Sequence, residues 1–364
     1  MFGDDNLRSD LGVLSLFTAV GLEGEVQGEI DAIARAFGRD PGLLRTCAQQ
    51  EIGRFVSPAG RLCSVTPALV AAWLTTQMLM ELGSGVADRI AGLPPPLPDR
   101  FRDQLAGLGE APPVAHIIGE ILTRPEFEQA SGFDLAAARF LHSAAAINPE
   151  QVSAKLARIF EQLDDPQLRS RTFPRREVVR ALEQLLWPVE QFAIAADLLL
   201  RLAQNETETY ANNASGVLVD SFQMHLGGTT APIFLRLAWL RSAASARDQQ
   251  ADRSLFARVA AAALRVHESR MHGARPGVLE PLDWRPETPD EELRGRRIAL
   301  GLLVEQLDQS PPQSRDGVFA ELSGAVRACV TFGLAGDLLT CIARREWSII
   351  DRVALLDGLQ HAIA

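Results

Sequence analysis

The chain has 364 residues, 47% of them hydrophobic and 23% charged, and its 36 Lys and Arg against 46 Asp and Glu give a net charge of -10. At about 150 residues per domain this length predicts two or three units with cores of their own, and the composition excludes a disordered or fibrous chain. The negative balance excludes binding modes that rest on neutralising many phosphates or an anionic membrane surface.

The first residues, Met1-Phe2-Gly3-Asp4-Asp5, are acidic and lack the basic stretch of a signal peptide. Helical patterns come next at about 7–20, 25–38 and 41–53, the last opened by Asp40-Pro41. Phe55-Val56-Ser57 and Arg61-Leu62-Cys63-Ser64-Val65, around the turn Pro58-Ala59-Gly60, predict a small β-hairpin. A further helix is expected over 67–82, entered through Thr66-Pro67. Three helices followed by a two-stranded wing is the plan of a winged-helix domain, placed at 1–82. In that plan the third helix would turn Arg45, Gln49, Gln50 and Arg54 toward DNA bases. Six Arg against ten Asp and Glu leave residues 1–82 at a net charge of -4, however, so packing against protein is the expectation.

Pro94-Pro95-Pro96-Leu97-Pro98 cannot be helix interior, and 83–100 reads as a Pro-rich connection between two domains. From 101 to 364 the sequence predicts ten to twelve helices. The stripes Val152, Leu156, Ile159, Phe160, Leu163 and Phe192, Ala196, Leu199, Leu200, Ala203 share one helical spacing. Thr288-Pro289-Asp290-Glu291 carries the signature of a helix start, and Asn148-Pro149 is a start of the same kind. The fold class expected is therefore all-α: a small winged-helix domain with one short hairpin, then an α-solenoid-like helical-repeat arm. Phe192 to Ala203, interrupted by Asp197 and Arg201, falls short of the roughly 20 residues a membrane span needs. A soluble, cytoplasmic protein is expected.

Candidate chemistry is sparse. Lys155 is the only lysine and sits in no P-loop or Schiff-base context. Cys47, Cys63, Cys329 and Cys341 are too widely spaced for a metal knuckle and are expected as buried thiols. His267 and His272 are five apart, a turn of about 500° that puts them on different helix faces, so no zinc site is expected there. His116, His142, His225 and His361 stand singly. Gly227-Gly228-Thr229-Thr230 reads as a turn feeding a helix over 232–243. The chain is accordingly expected to be no enzyme and to hold neither cofactor nor metal.

Two blocks carry a family resemblance. Leu11 to Gly21, Ser57-Pro58-Ala59-Gly60-Arg61 and Val65 to Leu74 form the first. The second runs through Glu206, Asn212-Asn213-Ala214, Phe222, Leu226-Gly227-Gly228-Thr229 and Pro232 to Leu237, including Arg236. Together they resemble the region after the ATPase core, winged helix plus helical arm, of bacterial STAND-type NTPases, which act in signalling and antiviral defence. With no Walker A motif, the chain resembles only that later portion. The resemblance implies a non-catalytic sensor and protein-interaction module whose partner is a protein, an NTPase or a foreign protein ligand, with no DNA and no membrane. The Asn212-Asn213 pair suits a helix–helix corner with left-handed backbone, tied to the next helix by a Glu206–Arg236 pair. Recognition is expected on the arm, with Trp284, in the loop from Gly273 to Thr288, as a partner contact. The rival reading is a winged-helix DNA-binding regulator whose helical part senses a ligand or dimerises.

Overall fold

The structure is a computed structural model and describes residues 5–109, 111–246, 253–268 and 283–343, with 352, 353, 355, 356 and 360 near the C-terminus. It is mainly helical, with one small three-stranded antiparallel sheet. No described helix is long and apolar enough to cross a membrane. His272, His361 and residues 273–282 of the Trp284 loop lie outside the described residues.

The described chain falls into two units, one of the residues up to 164 with 170–181, the other of 165–169 and the described residues from 182 onward. The first unit begins α1 (Asp5–Ser15), β1 (Val20–Gly21), α2 (Gly28–Ala36), α3 (Pro41–Gln50), β2 (Val56–Ala59), β3 (Leu62–Val65) and α4 (Ala68–Leu82). The hairpin forms in register, Val56 opposite Val65 and Ala59 opposite Leu62. Its loop is Gly60-Arg61 rather than Pro58-Ala59-Gly60, because Gly60, at φ 64°, supplies the left-handed first loop residue that a tight hairpin favours. Pro58 stays in the strand, which is tolerated because β2 is an edge strand and β3 is central.

The third strand is the main departure from the sequence reading. The helix expected over 7–20 stops at Ser15, whose carbonyl accepts from the buried Thr75 Oγ1 (2.6 Å), and β1 pairs Val20 with Cys63 and Gly21 with Leu62. Two residues are too few for periodicity to reveal. What holds them is the buried Glu29 of α2, whose Oε2 accepts from Gly21 N (2.7 Å) and from Arg100 Nη1 (2.6 Å). Asp40 caps α3 as expected, accepting from Leu43 N (2.9 Å).

The segment 83–100 carries helical structure. It folds into α5 (Val86–Ala91) and the start of α6 (Leu97–Ala106), and Leu93, Leu97 and Phe101 are buried, Phe101 with its ring centroid 6.2 Å from that of Phe17. Proline at the first turn of α6 needs no amide partner, so the proline run ends one helix and starts another. The unit continues through α7 (Pro112–Leu122), α8 (Leu135–Ala144) and α9 (Pro149–Glu161). Asn148 precedes α9, but its side chain donates to Ala115 O (2.9 Å) instead of capping.

The short α10 (Asp165–Leu168) belongs to the second unit, and α11 (Arg175–Leu185) has residues in both. The second unit then holds α12 (Phe192–Gln204), α13 (Ala214–Asp220), α14 (Ile233–Ser245), α15 (Ser254–Ala262), α16 (Pro289–Gln309), α17 (Pro312–Thr331) and α18 (Ala335–Ala343). From α12 onward its principal packing partners are helices one or two places apart in sequence. Thr288 starts α16 as read, its Oγ1 accepting from Glu291 N (3.2 Å).

Glu29 is buried and Arg100 half-buried, so truncating Glu29 removes the carboxylate that the Gly21 amide and the Arg100 guanidinium share, leaving Arg100 only the Ala19 carbonyl (3.2 Å). Glu29→Ala is expected to lower the stability of the first unit by about 3–5 kcal/mol in urea unfolding.

Candidate functional site

The residues singled out between 206 and 236 form the corner from α12 through α13 to α14 in the second unit. An α-helix starts with amide groups that have no partner in the helix. Asn213 is the N-cap of α13: its Oδ1 accepts from Gly216 N (2.9 Å), and its Nδ2 donates to Glu208 O (3.1 Å). Glu206 Oε2 accepts from Ser215 N (3.0 Å), adding a carboxylate at the positive end of the helix. Asn213 does this from extended backbone at φ -77°, and among the described residues only glycines have positive φ. The left-handed corner expected of the pair is thus replaced by a cap. Asn212 is exposed.

At the other end of α13, Phe222 is buried with Phe192 and Trp239, ring centroids 6.0 and 5.9 Å away. Arg236 of α14 is 0% exposed. Its Nη1 donates to the carbonyls of Ser221 and Gln223, both at 2.8 Å, where α13 has ended and its last carbonyls need donors. The sequence pairs Arg236 with Glu206; in the structure the guanidinium is aimed at this backbone while Glu206 serves the opposite end of α13. Gly227 makes room, since a Cβ there would lie 2.5 Å from Arg236 Nη1.

Trp284 is half-buried, with the Arg236 Cζ 5.4 Å from its ring centroid, and its amide donates to Thr229 O (2.9 Å). Thr229 is buried and its Oγ1 accepts from Ala231 N (3.0 Å). The structure therefore brings Thr229, Arg236, Trp284 and Phe222 to one end of α13 and Glu206, Asn212 and Asn213 to the other, about 10 Å apart by the helical rise. Each of the motif side chains at these two ends except Asn212 is turned to the chain's own backbone or core.

A second buried cluster lies beside the first and was not read from the sequence. Glu268 accepts three successive amides, from Met224 (3.0 Å), His225 (2.7 Å) and Leu226 (3.0 Å). Arg296 is 2% exposed, pairs with Glu292 (2.7 Å), donates to Ala263 O (2.8 Å) and Arg265 O (3.3 Å), and lies 3.6 Å from the centroid of the Phe332 ring. Burial pushes the Glu292 carboxyl up, but the hydrogen bond and charge of Arg296, with His225 beside it, outweigh that and hold it below its ordinary value. The i,i+4 spacing of Glu292 and Arg296 is a signal visible in the sequence; the contact of Glu268 with residues more than 40 positions earlier leaves none.

The remaining candidates disperse. His116, His142 and His225 do not stand alone, lying 3.5, 3.2 and 3.4 Å from Glu120, Glu177 and Glu292. No group of three or more potential metal ligands gathers among the described residues. Cys63 and Cys329 are buried, but Cys47 and Cys341 only half so, and none of the four is in a disulfide. Burial, with Glu29 nearby, pushes the Cys63 thiol up to about 11, and burial, with Cys341 and Asp337, pushes Cys329 to about 12, which keeps both protonated and weakly nucleophilic at neutral pH.

Of the residues that would face DNA, Arg45 is ion-paired with Asp31 and Arg54 lies 3.6 Å from Glu51, while Gln49 and Gln50 are exposed. A cleft of about 490 Å³ beside α3 is lined by Asp10, Asp40 and Glu51 with Arg39, a balance that repels phosphate. Comparison with protein-family models, with curated proteins and with solved structures finds no match to the chain.

Asn213→Ala is expected to cost about 1–2 kcal/mol of stability through loss of the cap, and Arg236→Ala at least as much, both read from denaturant midpoints. Because the Glu292 carboxyl is held low in the folded state, its contribution is present above the ordinary carboxylate range and lost as pH falls through the folded value. Glu292→Gln should therefore lower stability by about 1–3 kcal/mol at neutral pH, with the gap from wild type closing on acidification, as followed by thermal melting.

Proposed function

We propose that the chain is a non-catalytic sensor and protein-interaction module of a STAND-like signalling or defence system: a winged-helix domain followed by an α-solenoid-like arm. The order α1-β1-α2-α3-β2-β3 with β3 central supports the winged helix. The packing of each helix from α12 onward on neighbours one and two places along supports a stack of helical hairpins.

The observation that carries the protein-binding part is the outer face of α4. Leu69, Trp73 and Met80 are 85%, 46% and 53% exposed and fall within about 40° of one another around the helix, and no charged residue lies between Ala68 and Met80. Leu43 on α3 is 68% exposed as well. Large apolar side chains presented together on a chain of net charge -10 fit a protein surface and not nucleic acid. In the resembling proteins this domain follows an ATPase core, so the occupant proposed for the α4 face is a separate NTPase. This moves recognition from the arm, where the sequence placed it, to the small domain. Trp284 is half-buried, its ring beside the Arg236 guanidinium.

The full chain co-expressed with a STAND-type NTPase encoded beside it should elute with it in size-exclusion chromatography, and Leu69→Glu with Trp73→Glu should weaken the complex at least tenfold. Co-elution that survives both substitutions overturns the reading. A gel shift with duplex DNA at low salt would favour the DNA-binding regulator instead.

A further inference from the structure

The second unit has a cleft of about 370 Å³ between α15 and α17, within the range of small-molecule sites. On a chain of net charge -10 it is lined by Arg258, Arg265 and Arg327, with His267 at its rim and Glu321 the one carboxylate. Arg265 pairs with Asp220 (3.1 Å); Arg258 and Arg327 are exposed and reach no carboxylate within 4.0 Å among the described residues. Burial pushes the Glu321 carboxyl up, and Arg258 and Arg265 only partly offset this. Small residues, among them Ala261 and Ala328, also line the cleft, and a Cβ at Gly324 would meet nothing within 4 Å.

The wall that carries Arg265 is fixed. Arg296, itself buried, donates to the carbonyls of Ala263 and Arg265, and Glu268 is anchored by three backbone amides. The segment between those anchors, Leu264 to His267, lines the cleft. A backbone wall already held in one conformation loses little freedom when a ligand arrives. Guanidinium groups match the oxygens of a phosphate in a fork that an ammonium cannot reproduce. The small lining residues leave room for an organic body next to the phosphate.

We propose that this cleft binds a small organic phosphate, its phosphate between Arg258, Arg265 and Arg327 and its apolar part against Ala261 and Ala328. None of these residues lies on α3 or α4, so the site is independent of the docking face proposed above. Glu321 limits affinity by its own charge.

Isothermal titration of the full chain with phenyl phosphate should show one site per chain. Affinity should fall at least tenfold in Arg258→Ala and in Arg327→Ala, rise severalfold in Glu321→Gln, and weaken with added salt. The arginines are exposed, so the variants should melt with wild type, and a variant that does not is replaced by the corresponding Arg→Gln. Phenol should not bind, and inorganic phosphate should bind more weakly than phenyl phosphate. The proposal is overturned by absence of phenyl phosphate binding, by binding that both arginine variants retain, by no gain in Glu321→Gln, or by inorganic phosphate binding as tightly as the ester.

Discussion

A helix that ends inside a core leaves carbonyl groups that water cannot reach, and each must find a donor. The second unit meets this constraint with buried guanidiniums. Arg236 serves the carbonyls of Ser221 and Gln223 after α13, Arg253 that of Ala244 at the end of α14 (2.7 Å), and Arg296 those of Ala263 and Arg265 after α15. In each case a cation also stands at the negative end of a helix. Removing any of the three would strand acceptors in the core of a unit built almost wholly of helices.

This arrangement gives a physical reading of an unusual composition, in which Lys155 is the single lysine among 36 basic residues. A planar guanidinium presents several donors in fixed directions and can bridge two carbonyls while its face rests on a ring, as Arg296 does on Phe332. An ammonium is a compact, strongly hydrated charge, and burying it here would cost more and satisfy less. The charge of Arg296 is in turn balanced by Glu292 and Glu268, and Glu268 uses its oxygens to hold the amides of 224–226. Arg258 and Arg327, by contrast, are left facing a cleft. The same residue type thus closes helix ends inside the unit and lines a cleft on its surface.

The first unit shows the opposite imbalance. An amphipathic helix buries one stripe and shows a polar face to water. α4 buries Ala71, Leu74, Met78 and Leu79 yet shows Leu69, Trp73 and Met80 on its other side. How much of so apolar a helix the neighbouring elements cover is a matter of packing. The docking face proposed on α4 comes from that incomplete coverage.

Most helices were legible in the sequence because their signals are local. Apolar residues three and four apart placed α9 and α12, and Asp40 and Thr288 marked two helix starts through bonds to amides only three residues away. The β2–β3 hairpin was legible for the same reason. The sequence also isolated Asn213, Phe222, Thr229 and Arg236 but not the contacts they make, since a cap, a ring cluster and a carbonyl bridge differ only in which distant group is met. β1 escaped detection because two residues carry no period and its place depends on Glu29 and Cys63. The cleft arginines come from positions 258, 265 and 327, and only the packing of α15 on α17 makes them neighbours. By itself the sequence determined where the backbone becomes helix, a matter of turns and spacings within a few residues. Which buried charge meets which carbonyl was decided by tertiary structure, because hydrogen-bond partners tens of residues apart leave no period in the chain.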